Sequence, residues 1–525
     1  MGGVSTPERR TAPAALAGVA AGAVTVGTAE LLVFPLTGVV GTEGTPSPVL
    51  AVGEQFVDLT PSWLKDLAIT LFGTADKVAL LVGMAVVLSV GCALLGVLAA
   101  RRHVLGLVLF GLVGLVGAAA VLSRPDAAPA DVLPTLGGTA VGLLVLHRLT
   151  ARLTRGAAVT DPWPDRPGEH DRRSVLAWGA GLSVLGALAF ATGRLFGGAA
   201  DAVRAARAAF RVPRVASPVV VPPDAEQDVP GQTSYLSDNE TFYRIDTALS
   251  VPQVDPATWR LRVHGLVERE VEIDFEELLA QPMVEALVTL TCVSNTVGGN
   301  LAGNAVWTGW PVRELLARAG PLPDADMVLS TSVDGWTAGT PLEVLTDDRN
   351  ALLAVAMNGE PLPPEHGFPV RMVVPGLYGY VSATKWVTEL KVTRFDTDVA
   401  YWTPRGWSAR GPVKTASRID VPRDGEAVAA GRAVAAGVAW AQHRGISRVE
   451  VRVDDGPWQE ATLAAEPSVD AWRLWRLDWD ATPGRHTLTV RATDGTGETQ
   501  TEQVAPPAPD GASGWHSVGV TVEQA

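Results

Sequence analysis

The stretch Leu287-Val-Thr-Leu-Thr-Cys-Val-Ser-Asn295 is an apolar, β-branched run that contains a cysteine, and a glycine-rich segment follows it. This pattern predicts a strand over Glu285–Cys292 that opens into a loop. The only other cysteine, Cys92, belongs to a long apolar run elsewhere in the chain. A thiol without a partner in its own domain is a buried spectator, a nucleophile or a metal ligand, and these alternatives stay open at this point.

The composition excludes several classes of protein and site. A net charge of −14 over 525 residues leaves no basic face for nucleic acid. Two cysteines are too few for a disulfide-stapled scaffold, an iron–sulfur cluster held by cysteines alone or a zinc site of four thiolates. No haem is predicted, because His103 and His147 lie at the ends of apolar runs and no run has a central histidine.

The first 200 residues hold nearly all the long uncharged runs and are predicted to form a membrane domain with about five transmembrane helices. Their content of glycine and alanine suits close helix packing in lipid. The predicted spans are approximately Ala14–Phe34, Val78–Ala100, Val104–Leu122, Val132–Leu149 and Ser174–Phe196.

The loops between these runs differ in charge. Arginines such as Arg101, Arg102 and Arg148 fall on one side, whereas the opposite loops are acidic. The positive-inside rule therefore places the N-terminus in the cytoplasm and everything after the fifth run outside. The pair Arg172-Arg173 before the fifth run is similar to a twin-arginine export signal, although the positive-inside rule alone also explains it.

The remaining chain is expected to fold into two further domains after a proline-rich linker at 201–235. Residues 236–410 mix short strands and helices, which indicates an α+β domain. Its helices include one capped by Asp274 and one that Pro311 opens and Gly320 ends. Residues 411–525 alternate polar and apolar residues in short runs, which predicts a β-sandwich.

Several ordered motifs then resemble the sulfite oxidase family, from about Thr241 to the C-terminus, and the multi-span N-terminus is similar to that of its membrane-anchored actinobacterial members. The C-terminal part looks like that family's Ig-like dimerisation domain. The motifs are Thr289-Leu-Thr-Cys-Val-Ser-Asn295, Trp307-Thr-Gly-Trp-Pro311, Asn358-Gly-Glu-Pro-Leu-Pro363, His366-Gly-Phe-Pro-Val-Arg371, Val374-Pro-Gly376 and Lys385-Trp386.

The resemblance implies a molybdenum-molybdopterin cofactor, an oxidoreductase activity based on oxygen-atom transfer and a possible homodimer. Cys292 corresponds to the thiolate that ligates molybdenum, a metal that accepts soft sulfur ligands. Trp407 and Arg244 join Cys292 as the expected catalytic residues. The expected cofactor contacts are Asn239, Tyr243, Arg244, Ser332, His366, Arg371, Ser382, Ala383, Thr384 and Lys385.

The sequence departs from the family where sulfite would bind. Asn295 is followed by Thr296 and Val297 instead of two arginines, and Trp407 stands where the family has a tyrosine. Hydrogen bonds to a charged ligand are worth about 1.5–3 kcal/mol each, so an anion pocket that lacks arginines binds sulfite poorly. In this respect the chain resembles the family's exported methionine-sulfoxide reductase subunit, which also lacks these arginines and acts on neutral sulfoxides. That resemblance makes a neutral S-oxide or N-oxide the expected substrate, with sulfite dehydrogenase as the alternative enzyme.

The electron partner is expected to be a separate carrier, linked to a quinone or a cytochrome, because the family's cytochrome b5-like domain has no counterpart in this sequence. A different class of function also stays open, in which the chain is a redox-inactive scaffold or assembly protein. Retention of Cys292, His366, Arg371 and Lys385 favours the enzyme.

Overall fold

The computed structural model describes residues 11–40, 47–60, 64, 71, 76–124, 127–155, 167–195 and 198–524. The chain divides into two compact units. The first comprises Met1–Asp201 with Thr247–Ser250, and the second comprises Ala202–Asp246 with Val251–Ala525.

The first unit is helical. Within its described residues, five segments are long and apolar enough to cross a membrane, and each coincides with one of the predicted runs. Arg9 and Arg10, and the side chains of Arg172 and Arg173, lie outside the described part of the chain. The helices are α1 (Thr11–Val40), α2 (Pro48–Leu59), α3 (Asp76–Arg101), α4 (His103–Leu122), α5 (Leu133–Arg155) and α6 (Pro167–Leu195).

Helix α1 packs against three other helices at glycines that allow close contact. A Cβ atom added at Gly18 would lie 1.9 Å from the Cys92 carbonyl oxygen on α3. One added at Gly27 would lie 2.2 Å from the Gly186 carbonyl oxygen on α6. One added at Gly138 on α5 would lie 2.3 Å from the carbonyl oxygen of Thr25. Small residues thus bring these backbones together, as is common between helices in lipid.

A helix that the sequence did not predict, α7 (Gly198–Ala209), follows the last of these helices. Its Val203 is buried in an apolar cluster with Phe242, and Arg207 donates to the Leu362 carbonyl oxygen at 2.9 Å. The helix was missed because its apolar residues are almost all alanines, which carry a weak periodic signal. The residues that follow it are extended and contribute apolar side chains to the core of the second unit, among them Phe210, Val212, Val215 and Val219.

Residues 260–393 form two sheets with short helices, as the α+β prediction requires. One sheet has the strand order β2-β1-β10-β5-β6, and the other has the order β3-β4-β7-β8 with β9 paired to β7. The strands are β1 (Arg260–Gly265), β2 (Val271–Asp274), β3 (Val284–Thr291), β4 (Ala302–Pro311), β5 (Met327–Ser332), β6 (Thr337–Pro341), β7 (Leu352–Met357), β8 (Glu360–Pro361), β9 (Arg371–Val373) and β10 (Val387–Thr393).

The local signals for helices in this region are confirmed. Helix α8 (Phe275–Leu279) is capped by Asp274, whose Oδ1 accepts from the Glu277 amide at 2.8 Å. Helix α9 (Val312–Ala319) follows Pro311 and ends at Gly320, which has a φ of 68°. A further short helix, α10 (Leu342–Thr346), lies before β7.

The C-terminal β domain, residues 411–524, contains two sheets that share one apolar core, and its described residues include no α-helix. Their strand orders are β11-β13-β17-β16 and β12-β19-β18-β14-β15. The strands are β11 (Ala416–Val421), β12 (Ala427–Ala429), β13 (Gly431–Trp440), β14 (Ile446–Val453), β15 (Gln459–Glu460), β16 (Thr462–Leu463), β17 (Arg473–Ala481), β18 (Gly484–Asp494) and β19 (His516–Glu523). The alternating runs of the sequence correspond to β14, β17, β18 and β19. The strands that were not predicted are β11, β12, β13, β15 and β16, and the alanine-rich sequence of β13 does not alternate clearly.

Candidate functional site

Cys292 is the first residue after β3, one residue beyond the strand's last paired position, and it is buried. Its amide donates to the Leu301 carbonyl oxygen at 2.9 Å, and its own carbonyl accepts from the Asn295 amide at 3.1 Å. The Asn295 side chain accepts from the Leu301 amide at 2.8 Å and closes the loop. Burial raises the pKa of the thiol, and hydrogen bonds from Ser294 only partly offset this effect. Burial alone thus favours the neutral thiol, and a bound metal cation would favour the thiolate instead.

Arg371 is buried on β9, with 4% of its surface exposed. Its guanidinium donates to the carbonyl oxygens of His366 at 3.1 Å and Met372 at 3.4 Å and lies 5.0 Å from the centre of the Trp307 ring. Burial lowers the pKa of Arg371 to about 10. Among the residues that the structure describes, no carboxylate forms an ion pair with it, which is costly for a buried charge.

Lys385 and Arg244 share one carboxylate. The Lys385 Nζ atom lies 2.6 Å from Asp246 Oδ2, and the Arg244 Nε atom lies 2.8 Å from the same oxygen. Burial lowers the pKa of Lys385 to about 8, although the attraction of Asp246 opposes that change. Together with Arg371 these side chains bring three cations to one carboxylate, so this part of the site is suited to an anion.

His366 lies between these cations and Asn239. Its Nε2 donates to the Asn239 carbonyl oxygen at 3.2 Å, and its ring meets Phe242 edge to face. Burial, followed by the charges of Arg371 and Lys385, lowers the pKa of His366 to about 3. The imidazole is therefore neutral at ordinary pH. The Asn239 side chain is held in place by Asn358, which donates to its Oδ1 at 2.9 Å.

Tyr243 connects the thiol with the cationic group. Its ring stacks on Phe242 with the ring centres 5.3 Å apart. Burial and the charge of Cys292 raise the pKa of the Tyr243 phenol, and the charge of Arg371 lowers it. Arg371 also lies over the Trp307 ring, and Trp307 Nε1 donates to the Val288 carbonyl oxygen on β3 at 3.1 Å, so Arg371 lies beside the strand that leads to Cys292.

The segment Ser382–Lys385 borders the same region. Ser382 Oγ donates to the Tyr378 carbonyl oxygen at 3.0 Å, and Thr384 Oγ1 lies 2.7 Å from Ser330 Oγ. The Ala383 amide donates to the Gly379 carbonyl oxygen at 2.9 Å, and alanine has no polar side chain. Ser332 pairs with Val387 in the sheet, and its hydroxyl is buried without a hydrogen-bond partner among the described residues. Val387 follows Lys385 by two residues, and a buried hydroxyl without a described partner beside it is consistent with a polar ligand in this region.

Tyr378 is a residue that sequence reasoning missed. It lies in the loop after Gly376, where a Cβ atom added at Gly379 would be 3.9 Å from the Thr291 carbonyl oxygen. Burial raises the pKa of Tyr378 to about 12, and the charge of Cys292 contributes to this rise. The signal available in the sequence is the aromatic run Leu377-Tyr-Gly-Tyr380, which stands between two motifs of the site.

A small cavity opens beside the loop of Cys292 and reaches the C-terminal β domain, within the second compact unit. Arg418 lies behind this loop, but its Nε is 2.6 Å from Asp420 Oδ1, so its charge is paired. Among the described residues, no charged side chain lines the cavity. The lining residues are Thr291, Asn295, Thr296, Val297, Gly298, Tyr378, Thr415, Ala416, Ser417, Trp440, Gln500, Ala512, Ser513 and Gly514.

Trp407 is half-buried and belongs to an aromatic cluster. Its ring centre lies 5.9 Å from that of Tyr380 and 6.3 Å from that of Trp402. The Tyr380 hydroxyl donates to the Ser408 carbonyl oxygen at 2.7 Å, which fixes the loop of Trp407 against the loop of Tyr378. Trp407 thus packs onto a segment that borders Cys292.

Residues 248–402 match the family model described as the oxidoreductase molybdopterin binding domain. Mitochondrial sulfite oxidase of Homo sapiens is 31% identical over 322 residues, 52% of this chain and 58% of the relative. Sulfite oxidase of Gallus gallus is 30% identical and covers 52% of this chain and 69% of its own length. The uncharacterized oxidoreductase YuiH of Bacillus subtilis is 36% identical over 30% of this chain and 76% of its own length. The chain thus spans less than two thirds of the human relative.

Proposed function

We propose that this chain, which belongs to the sulfite oxidase family of molybdopterin oxidoreductases, catalyses oxygen-atom transfer on a neutral S-oxide or N-oxide. In the case of a sulfoxide, two protons and two electrons are consumed, the sulfur–oxygen bond breaks, and the products are the sulfide and one water molecule. The electrons come from a separate carrier, linked to a quinone or a cytochrome.

The residues present fit a molybdenum-molybdopterin cofactor. Arg371 is a buried cation without a carboxylate partner among the described residues, and its planar guanidinium suits a phosphate. The unpartnered hydroxyl of Ser332 also fits a polar ligand. When bound, the metal supplies two-electron oxygen-atom transfer, and Cys292 provides its protein thiolate. The residues proposed to hold the pterin and its phosphate are Asn239, Tyr243, Arg244, Ser332, His366, Arg371, Ser382, Ala383, Thr384 and Lys385.

The choice of substrate rests on the loop after Cys292, where Thr296 and Val297 stand in place of two arginines, and on the small cavity beside that loop, whose described lining has no charged side chain. Sulfite is an anion, and each hydrogen bond that a cationic side chain gives to such a ligand is worth about 1.5–3 kcal/mol. Arg244 does not compensate for the missing arginines, because it does not line this cavity and its Nε lies 2.8 Å from Asp246 Oδ2. Hydroxyl and amide groups like those of Thr291, Thr296 and Asn295 instead suit a neutral oxide.

The proposed setting is the outer face of the cell membrane. The arginine-rich loops of the first 200 residues support a cytoplasmic N-terminus and five crossings. Export of the folded, cofactor-loaded domain by the twin-arginine route is consistent with Arg172-Arg173. In this proposal residues 1–200 anchor the enzyme, 201–235 link it, 236–410 hold the cofactor, and 411–525 form an Ig-like domain that dimerises.

The test uses the full chain in detergent, produced together with the enzymes of cofactor biosynthesis. Molybdenum is measured per chain in the wild type, in Cys292→Ser and in the matched control Cys92→Ser. We expect near-stoichiometric metal in the wild type and the control and little in Cys292→Ser. The values of kcat/KM are then compared for dimethyl sulfoxide or trimethylamine N-oxide with reduced methyl viologen, and for sulfite with ferricyanide. A higher value for sulfite than for both oxides would refute the proposed substrate class.

A further inference from the structure

We propose that Gln442, in the C-terminal β domain, is a positioning residue for Cys292. The inference rests on the proposed function in one respect, namely that the Cys292 thiolate is the protein ligand of molybdenum. It goes beyond that function because it gives the C-terminal β domain a direct part in shaping the site.

The strand that leads to Cys292 is an edge strand. In its sheet β3 pairs only with β4, so the other edge of β3 presents backbone groups without a neighbouring strand. Three of these groups are satisfied by the C-terminal β domain. Thr289 donates its amide to the Asp470 carbonyl oxygen at 2.9 Å, and Leu287 accepts from Ser468 Oγ at 3.0 Å. The carbonyl oxygen of Thr289 accepts from Gln442 Nε2 at 2.9 Å. The domain thus takes the place of a further strand.

Gln442 extends this contact to the residue next to the cysteine. Its Nε2 also lies 3.0 Å from Thr291 Oγ1, and Thr291 directly precedes Cys292. The side chain is 1% exposed. The two protons of the Gln442 amide group are therefore donated to Thr289 and Thr291, near the end of β3. These hydrogen bonds fix the direction in which the chain enters the loop of Cys292.

The turn that contains Gln442 also touches the opposite wall of the site. A Cβ atom added at Gly376 would lie 3.2 Å from His443 Cβ and 3.5 Å from the Gln442 carbonyl oxygen. Gly376 begins the loop that carries Tyr378. One turn of the C-terminal β domain therefore lies against both the strand that ends at Cys292 and the loop that faces it.

Packing alone does not require an amide at this position. Gln442 Oε1 is buried and has no hydrogen-bond partner among the described residues, so the acceptor half of the amide is left unsatisfied. Methionine would fill a similar volume without that defect. What glutamine adds is the pair of donated hydrogen bonds to Thr289 and Thr291.

Gln232 offers a matched control. Its Nε2 donates to the carbonyl oxygens of Gly437 at 3.0 Å and Trp475 at 3.2 Å, and its Oε1 likewise is buried without a partner among the residues described. Gln232→Met therefore removes an equivalent amide from the same unit, but at strands β13 and β17 instead of at β3.

The first experiment measures the rate at which iodoacetamide alkylates Cys292 in the full chain, produced without cofactor, with mass spectrometry to distinguish it from Cys92. We expect Gln442→Met to raise the rate about tenfold, because the loss of two hydrogen bonds that hold the end of β3 favours local opening around the thiol. Gln232→Met is expected to leave the rate unchanged. Equal rates in both variants would overturn the inference, even if both lower the melting temperature.

A second variant approaches the contact from the other side. Thr291→Val removes the hydroxyl but keeps the shape of the side chain, so it tests the inference even if Gln442→Met fails to fold. We expect Thr291→Val to raise the alkylation rate. The fold-increase in the double variant is expected to be smaller than the product of the fold-increases in the two single variants. A rate for Thr291→Val equal to that of the wild type, or full additivity, contradicts the proposed contact.

The cofactor-loaded protein provides a readout other than activity. After passage through a desalting column, Gln442→Met is expected to retain about tenfold less molybdenum per chain than Gln232→Met. Equal retention counts against the inference. If the wild type binds no molybdenum, the proposed function fails, while the alkylation rates of the cofactor-free chain still decide whether Gln442 positions Cys292.

Discussion

Arg371 indicates which kind of ligand the site accommodates. Its guanidinium is buried among two carbonyl oxygens and an aromatic ring, and burial holds its pKa below the usual value. Lys385 is buried as well and shares the single carboxylate of Asp246 with Arg244. Charges in such surroundings are stabilised by a bound anion, which explains why these residues come together although each is costly by itself.

His366 makes the stability of the cofactor-free protein depend on pH. Because the folded pKa is about 3 and the ordinary value is 6.5, the unfolded chain binds a proton that the folded chain does not. The free energy of unfolding therefore falls as the pH drops through this window, by at most about 1.4 kcal/mol per pH unit from this group. We expect His366→Gln to have a shallower acid dependence in urea unfolding between pH 6.5 and about pH 4. Parallel curves for the two proteins would show that His366 is not the group responsible.

At the scale of elements, the turn between β8 and β9 positions His366 and Arg371. The one-turn helix Pro364–His366 ends at Gly367, which has a φ of 108°. A Cβ atom at Gly367 would lie 2.9 Å from Arg371 Cβ and 3.2 Å from Lys385 Cβ. The absence of a side chain at this position is what lets both cations approach one another.

Gly367→Ala is therefore expected to lower the molybdenum content of the purified protein at least about tenfold, since it displaces the residues that support the ligand. The matched control is Gly359→Ala, with a φ of 77° and no described atom within 4 Å of the added Cβ. Both substitutions carry the penalty of a left-handed backbone, about 1–2 kcal/mol, so both lower the melting temperature. A similar metal content in the two variants would contradict the role assigned to Gly367.

At the scale of the whole molecule, one apolar cluster extends from the sheets of residues 260–393 into the C-terminal β domain, which also has an apolar core of its own. Trp440 and Trp472 from that domain belong to the same buried cluster as Leu287 and Val293, which flank Cys292. Trp472 also donates from Nε1 to the Tyr235 carbonyl oxygen at 2.8 Å. The C-terminal β domain is therefore part of the structure that holds the site in shape.

We expect a chain truncated after residue 410 to lose its cooperative thermal unfolding. Each large apolar side chain that truncation exposes costs about 1.5–3 kcal/mol. Two or three such side chains together amount to a large part of the free energy of unfolding of a domain, which is about 5–15 kcal/mol. The measurement is thermal unfolding by circular dichroism in detergent, with the full chain as the control. A truncated protein that melts cooperatively at the temperature of the full chain would contradict this expectation.

Much of the fold follows from signals that lie close together in the sequence. The strand before Cys292, the helix between Pro311 and Gly320, the five apolar runs and the alternating strands each depend on the order of neighbouring residues. Local propensity and periodicity are sufficient for such elements. Among the elements that were missed, α7 and β13 are rich in alanine, which fits a helix or a strand about equally well in an apolar pattern.

The sequence by itself determined the family, the five apolar helices and the mixture of strands and helices that follows them, and it supplied the set of residues expected around the cofactor. Only the tertiary structure decided which side chains form hydrogen bonds and ion pairs with one another. Lys385 meets Asp246 across 139 positions, and Gln442 meets Thr291 across 151. Local patterning does not encode such contacts, because they depend on how the sheets and the C-terminal β domain pack. For the same reason, the ion pair of Arg244 with Asp246 and the cavity beside the loop of Cys292, whose described lining has no charged side chain, became visible only in the folded chain.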